Sequence, residues 1–246
     1  MARRGLIAVL APLALAVTFV TTGGGTAQSQ VPTQSPINVT AGSLRLDPKQ
    51  PELKVSYGHS DLELEYIRKD ADTATGCTTR NAEETEEAIV APGAGHVTVA
   101  GVRYDLVQFH FHTPSEHRFQ GRSTPLEMHL VHRSAEGKLL VIGVPLRAGR
   151  SSTVDKVLAN LVPECGENHQ VRDVDLRSLL PANLTTFRYN GSLTTAPFTE
   201  GVQWFLAQEM TVSQATITRF QGLFTSGNSR AVQPLNGRSV TVVPHI

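Results

Sequence analysis

Between Gln108 and His132 the chain reads Gln-Phe-His-Phe-His-Thr-Pro-Ser-Glu-His and, after a short break, Leu-Glu-Met-His-Leu-Val-His. Side chains alternate faces along a strand, so His110 and His112 point one way and Phe111 the other. On a second strand over 126–132, Glu127, His129 and Val131 share a face. If the two strands pair, three imidazoles converge from a rigid sheet, which makes a metal site with an open fourth position. Gln108 falls on the face of His110 and Glu127 on that of His129. An amide oxygen or carboxylate so placed accepts the second ring N–H of a ligand histidine and fixes its tautomer. Three neutral nitrogens leave a divalent ion its full charge, which strongly acidifies a bound water. The plain alternative is a pair of inert, hydrogen-bonded core histidines; the flanking Gln108 and Glu127 favour the metal. His132 falls on the opposite face from His129 and cannot join it. His59, His96, His169 and His245 lie among turn or loop residues and read as surface groups.

The segments that must position these residues are mostly strands. Val102, Tyr104, Leu106, Val107 and Phe109 give the first histidine segment strand composition. Further strands are expected near 96–112, 126–132 and 138–147, at Phe187–Tyr189 and at Val202–Gln208. Leu62, Leu64 and Tyr66 alternate with Glu63 and Glu65, as in a half-exposed strand. Short helices are expected after Ser151 or Ser152, over Asp175–Leu180 before Pro181, and after Ser213. Residues 68–87, which end in Glu83, Glu84, Glu86 and Glu87, read as a solvated loop or edge. Strands outnumber helices without regular alternation. The expected fold is therefore α+β and sheet-dominated: one domain on a large, mostly antiparallel twisted sheet with short peripheral helices.

The 246 residues, 40% hydrophobic and 18% charged, hold enough apolar material for a real core. A formal net charge of zero offers no basic excess for nucleic acid or anionic lipid. Arg3 and Arg4 precede an apolar run from Leu6 to Val20, followed by small polar residues to Ala27. That run is shorter than the roughly 20 residues of a membrane span. It reads as a signal peptide over residues 1–27, with an uncleaved anchor as the alternative, and the mature protein is expected to be secreted or periplasmic. Export permits the only two cysteines, Cys77 and Cys165, to form a disulfide.

Several separated stretches, taken together, resemble the alpha-class carbonic anhydrases. They are Gln34-Ser35-Pro36-Ile37-Asn38, the segments from Gln108 to His117 and from Glu127 to His132, and Asn190-Gly191-Ser192-Leu193-Thr194-Thr195-Ala196-Pro197. Glu200-Gly201-Val202-Gln203-Trp204, Asn228-Ser229-Arg230 and Gln233-Pro234-Leu235 complete them, in the family's order along nearly all of the mature chain. The resemblance implies one domain over 28–246, a zinc ion (Zn2+) as cofactor, and reversible hydration of carbon dioxide to bicarbonate and a proton, with zinc hydroxide as nucleophile. It implies that His110, His112 and His129 are the ligands. Thr194 is implied to accept a hydrogen bond from that hydroxide and pass one to Glu116. Gln108, Glu127 and the Asn228 backbone are implied as partners of the three ligands, and His117 as a buried structural histidine beside Glu116 and Asn228. Val131, Val141, Leu193, Val202 and Trp204 are implied as an apolar wall for carbon dioxide, which a nonpolar molecule needs because hydrogen bonds cannot hold it. The implied partner is a small molecule, carbon dioxide or bicarbonate, with neither nucleic acid nor, once the leader is removed, membrane. A non-catalytic binding domain on the same scaffold and a zinc hydrolase of activated esters are the other readings; the retained histidines, Thr194 and Glu116 weigh against the first.

Three departures from the family pattern stand out. The leader runs almost directly into Gln34, so an aromatic-rich segment, with a wall of the cleft and a tyrosine of the Thr194 network, is expected to be missing. No histidine occurs over 76–84, where the family carries its proton shuttle, so no shuttle is identified and turnover is expected to depend on buffer. Phe198 stands where many exported relatives carry a cysteine, and Cys77–Cys165 is expected as a substitute staple.

Overall fold

The strand Val102–His112 lies well inside a 13-stranded sheet. The structure is a computed structural model that describes residues 31–68 and 84–245; the expected leader over 1–27 and Cys77 lie outside the described residues. Across the sheet the main order is His169–Asp175, His59–Ile67, Thr85–Val90, Val102–His112, Leu126–Ser134, Leu139–Ala148, Glu200–Leu206, Thr186–Ser192, Val240–Val243 and Leu44–Leu46. Most neighbours are antiparallel. Leu139–Ala148 with Glu200–Leu206, and Val240–Val243 with Leu44–Leu46, pair in parallel.

The two histidine strands pair antiparallel, with His110 opposite His129, His112 opposite Glu127 and Gln108 opposite Val131. Their other faces carry Phe109, Phe111, Met128 and Leu130, all fully buried in the larger core cluster. Tyr104 and Leu106 are buried in that cluster as well, although strict alternation would place them with Gln108. A register shift between Leu106 and Gln108 resolves the conflict, leaving Val107 as an extra, exposed residue. A bulge of this kind re-aims the side chains beyond it. Here it lets the first half of the strand anchor in the core while the second half presents histidines to the opposite face.

Helices lie at the periphery. Thr153–Val157 begins at Ser152, whose N–H donates to Asp155 Oδ2 at 2.7 Å, and Gln214–Leu223 is capped by Ser213, whose hydroxyl accepts the Thr216 N–H at 3.2 Å. Capping satisfies N–H groups that a first helical turn leaves without partners. Over Leu176–Leu179 the short helix before Pro181 is of 3-10 type.

The expectation for residues 68–87 is corrected in its described part. Thr85–Val90 is an interior strand between His59–Ile67 and Val102–His112, and Glu84 and Glu86 are fully buried. The Tyr66 hydroxyl donates to Glu84 Oε2 at 2.7 Å. Among the described residues neither Glu86 oxygen meets a donor in good hydrogen-bonding geometry, the Val162 backbone being a weak contact. Burial pushes the Glu86 carboxyl up to about 8, with only the Val162 backbone pulling the other way. Between its ordinary value of 4.5 and about 8, the unfolded chain gives up a proton that the folded chain keeps. Stability therefore falls as pH rises through that window, by a total on the order of 5 kcal/mol, and the deficit is constant above it. Glu86→Gln keeps the shape and removes the titration. It is expected to melt well above the parent protein at pH 8.5 and to lose most of that advantage at pH 5; thermal unfolding at the two values checks this, and parallel pH profiles would count against it.

Candidate metal centre

His110, His112 and His129 come together as the alternation implies. One ring nitrogen from each lies within 4.8 Å of those of the other two. The ring centroids are 5.1 Å apart for His110 and His112, 5.3 Å for His110 and His129, and 4.6 Å for His112 and His129. Every ring has a fixed partner for one nitrogen. His110 Nδ1 is 2.9 Å from Gln108 Oε1, His112 Nδ1 is 3.0 Å from the Asn228 carbonyl, and His129 Nε2 is 2.9 Å from Glu127 Oε1. The remaining nitrogens are Nε2, Nε2 and Nδ1. His112 Nε2 is buried and has no hydrogen-bond partner among the described residues; a cation at this point would take its lone pair. His117, Glu127 and His129 form a second group of metal-ligating residues, but its atoms are hydrogen-bonded to one another.

The supports are themselves held. Glu127 is fully buried and accepts from His129, from His117 Nδ1 at 2.7 Å and from the His117 N–H at 2.8 Å. Burial alone raises its carboxyl, yet the His117 and His129 imidazoles outweigh that and hold it well below the usual range. Asn228 Nδ2 donates to the Glu84 and Phe111 carbonyls and its Oδ1 accepts from the Thr113 N–H, which fixes the carbonyl that orients His112. Gly143 lies opposite His129 in the next strand. A Cβ there would meet Glu127 Oε1 at 3.0 Å and Leu206 Cδ2 at 2.9 Å, so the carboxylate's seat depends on the missing side chain.

Burial lowers the pKa of His112 and of His129, which favours the neutral, ligating form of both. Glu116 faces the same point, with Oε2 at 3.6 Å from His112 Nε2 and 3.9 Å from His129 Nδ1. Its Oε1 accepts the Arg230 N–H at 2.8 Å. Burial pushes the Glu116 carboxyl up to about 7 against the opposing pull of His129, the Arg230 N–H and the Thr194 hydroxyl. Thr194 is itself buried.

The register also assembles an apolar floor. Val131 lies opposite Val141, and Val141 opposite Trp204, in adjacent strands. Val141, Val202 and Trp204 are buried in one cluster, with Val131 and Leu193 half-buried against it. The Trp204 ring is 4.8 Å from that of His129.

The family model for eukaryotic-type carbonic anhydrases matches residues 24–244. The chain belongs to the eukaryotic-type (alpha) carbonic anhydrase family. A carbonic anhydrase of Neisseria gonorrhoeae is 35% identical over 209 residues, 84% of this chain and 76% of that protein. Among solved structures, the alpha-carbonic anhydrase of Photobacterium profundum superposes with a TM-score of 0.70 at 32% identity, covering 87% of this chain and 90% of its own. The Thermovibrio ammonificans alpha-carbonic anhydrase, solved with the inhibitor sulfanilamide, gives 0.71 at 30% identity over 85% and 86% of the two chains. With these relatives the protein is an enzyme of the carbonic anhydrase class, whose activity is the hydration of carbon dioxide.

Within the carbonic anhydrase frame, His117 is buried as expected but its neighbours differ from the expected pair. Its ring nitrogens are hydrogen-bonded to Glu127 and to the Tyr189 hydroxyl, at 2.6 Å from Nε2, and Asn228 is spent on backbone groups instead. Tyr189 is a residue that sequence reasoning missed. Its hydroxyl donates to Ser35 Oγ at 2.8 Å, which ties the Gln34–Asn38 motif to the carboxylate behind His129. The signal was available: a tyrosine directly before Asn190-Gly191, on the inward parity of its strand. His132 faces away as expected, against the Tyr57 hydroxyl and the Leu140 carbonyl. Cys165 is disulfide-bonded, and Cys77, the chain's other cysteine, lies outside the described residues, as does the shuttle region over 76–83.

Proposed function

We propose that the protein hydrates carbon dioxide reversibly with a zinc ion held by His110, His112 and His129. The observation that carries this reading is the convergence of one ring nitrogen from each histidine within 4.8 Å, while Gln108, Asn228 and Glu127 each fix the other nitrogen of one ring, and His112 Nε2 is buried with no hydrogen-bond partner among the described residues. Three imidazoles suit zinc, and a bound ion would supply the Lewis acidity that makes water nucleophilic near neutral pH. Thr194 would donate its hydroxyl proton to Glu116. Its lone pairs would then face the attacking oxygen and hold that oxygen's own lone pair toward the carbon. Glu116 must be ionised to receive the Thr194 proton; a cation beside it pulls its carboxyl below the value that burial alone imposes. Val131, Val141, Leu193, Val202 and Trp204 would concentrate a nonpolar substrate next to that oxygen and keep ordered water from displacing it.

The apolar leader before Ala27 supports action outside the cytoplasm, and the disulfide at Cys165 suits an oxidising compartment. Stopped-flow hydration by the chain from Gln28 tests the reading. A strong zinc chelator is expected to bring the rate to the uncatalysed baseline, and added zinc to restore it. A rate unchanged by complete metal removal would reject it.

A further inference from the structure

One cavity has His117 in its lining but none of His110, His112 and His129. It has a volume of about 720 Å³, and its lining includes Phe119, Arg122, Pro125, Pro145 and Phe187. Known small-molecule sites run from roughly 300 to 1,000 Å³ and are mostly apolar with a few placed polar groups.

Phe119 and Arg122 flank a two-residue turn. Their backbones exchange two hydrogen bonds of 3.0 Å, and the central Gln120 and Gly121 have φ of 52° and 77°. Both central residues left-handed is the tight hairpin geometry, which sets its flanking residues side by side. An aromatic ring and a guanidinium are thus presented together on a rigid support. Phe187 meets the Phe119 ring edge-on at 5.4 Å. The Arg122 side chain makes no hydrogen bond or ion pair among the described residues, and it is exposed at the cavity rim. The second cation, Arg147, is already engaged by Glu209 at 2.6 Å. One positive charge beside two aromatic rings and two prolines therefore stays uncommitted.

We propose that this cavity binds a small aromatic carboxylate, its ring against Phe119 and Phe187 and its carboxylate on the Arg122 guanidinium. A guanidinium fork holds a carboxylate through two parallel bonds, and the apolar walls reward a flat ring over a bare inorganic anion. The site does not depend on the metal.

The test is ligand-observed fluorine NMR of 4-(trifluoromethyl)benzoate with the chain from Gln28, both zinc-loaded and metal-stripped. Saturable binding with Kd below about 1 mM is expected, equal in the two preparations. Arg122→Gln is expected to weaken it about two- to fivefold, the scale of a partly exposed charged pair. Glu209→Gln, which releases Arg147, is expected to tighten it about twofold on the same scale. Both positions are exposed, and neither belongs to the metal centre. Absence of saturation, an unchanged Kd in Arg122→Gln, weaker binding in Glu209→Gln, or loss of binding on metal removal would each overturn the proposal. Loss on metal removal would place the probe at the histidines and leave the hydration reading intact.

Discussion

Alanine at His112 is expected to lower carbon dioxide hydration at least about 10³-fold and to leave the purified protein short of zinc. His112 is only 2% exposed, and its two nitrogens face different tasks. Nδ1 is held by the Asn228 carbonyl at 3.0 Å, and Nε2 points to where His110 and His129 converge. Removing it leaves two donors, too few for a closed-on-three-sides site. The rest of the frame does not depend on that ring, because Asn228 remains bonded to Thr113, Glu84 and Phe111. The variant should therefore fold, and circular dichroism with metal analysis separates lost metal from lost structure. A folded, zinc-loaded, fully active His112→Ala protein would remove His112 from the ligand set.

The second large effect concerns Thr194 and Glu116 as a unit. Thr194→Ala is expected to lose about 10²-fold in kcat, the scale for deleting one preorganised hydrogen-bonding group at a reacting centre. Glu116→Gln should cost a similar factor, because the amide can donate back to the threonine and lets its hydroxyl turn the wrong way. Thr194→Ser, which keeps the hydroxyl, should retain most of the rate. The double variant decides whether the two act together. Independent contributions would multiply to about 10⁴, whereas one orienting device gives a double loss close to either single loss. Full multiplication in the cycle would refute the coupling. Thermal unfolding belongs beside the kinetics, since Glu116 is buried and its Oε2 has no hydrogen-bond partner among the described residues.

Much of this centre was legible because strand chemistry is local. Alternation alone placed His110, His112 and Gln108 on one face and Glu127, His129 and Val131 on another, and the sheet register joins those faces residue for residue. Helix caps were equally readable, since Ser152 and Ser213 each bond a group three positions on, the Asp155 carboxylate and the Thr216 N–H. The acidic stretch was not. Composition marks Glu84 and Glu86 as solvated, but both are buried, Glu84 against the Tyr66 hydroxyl and Glu86 beside the Val162 backbone. Sequence carries no local signal for a charge that tertiary contacts bury.

By itself, then, the sequence determined which histidines share a strand face, and the family, because these follow from side-chain parity and from motifs kept in order. Only the tertiary structure decided the rest. The bulge at Val107 turns a core-anchored strand into one that displays histidines, and Gly143 makes room for the Glu127 carboxylate. Glu127 itself links His129 to His117, and through Tyr189 to Ser35, more than 150 residues away in the chain from Tyr189. Such links depend on which distant backbones come within hydrogen-bonding reach, and that is settled by packing across the sheet and not by neighbours in sequence.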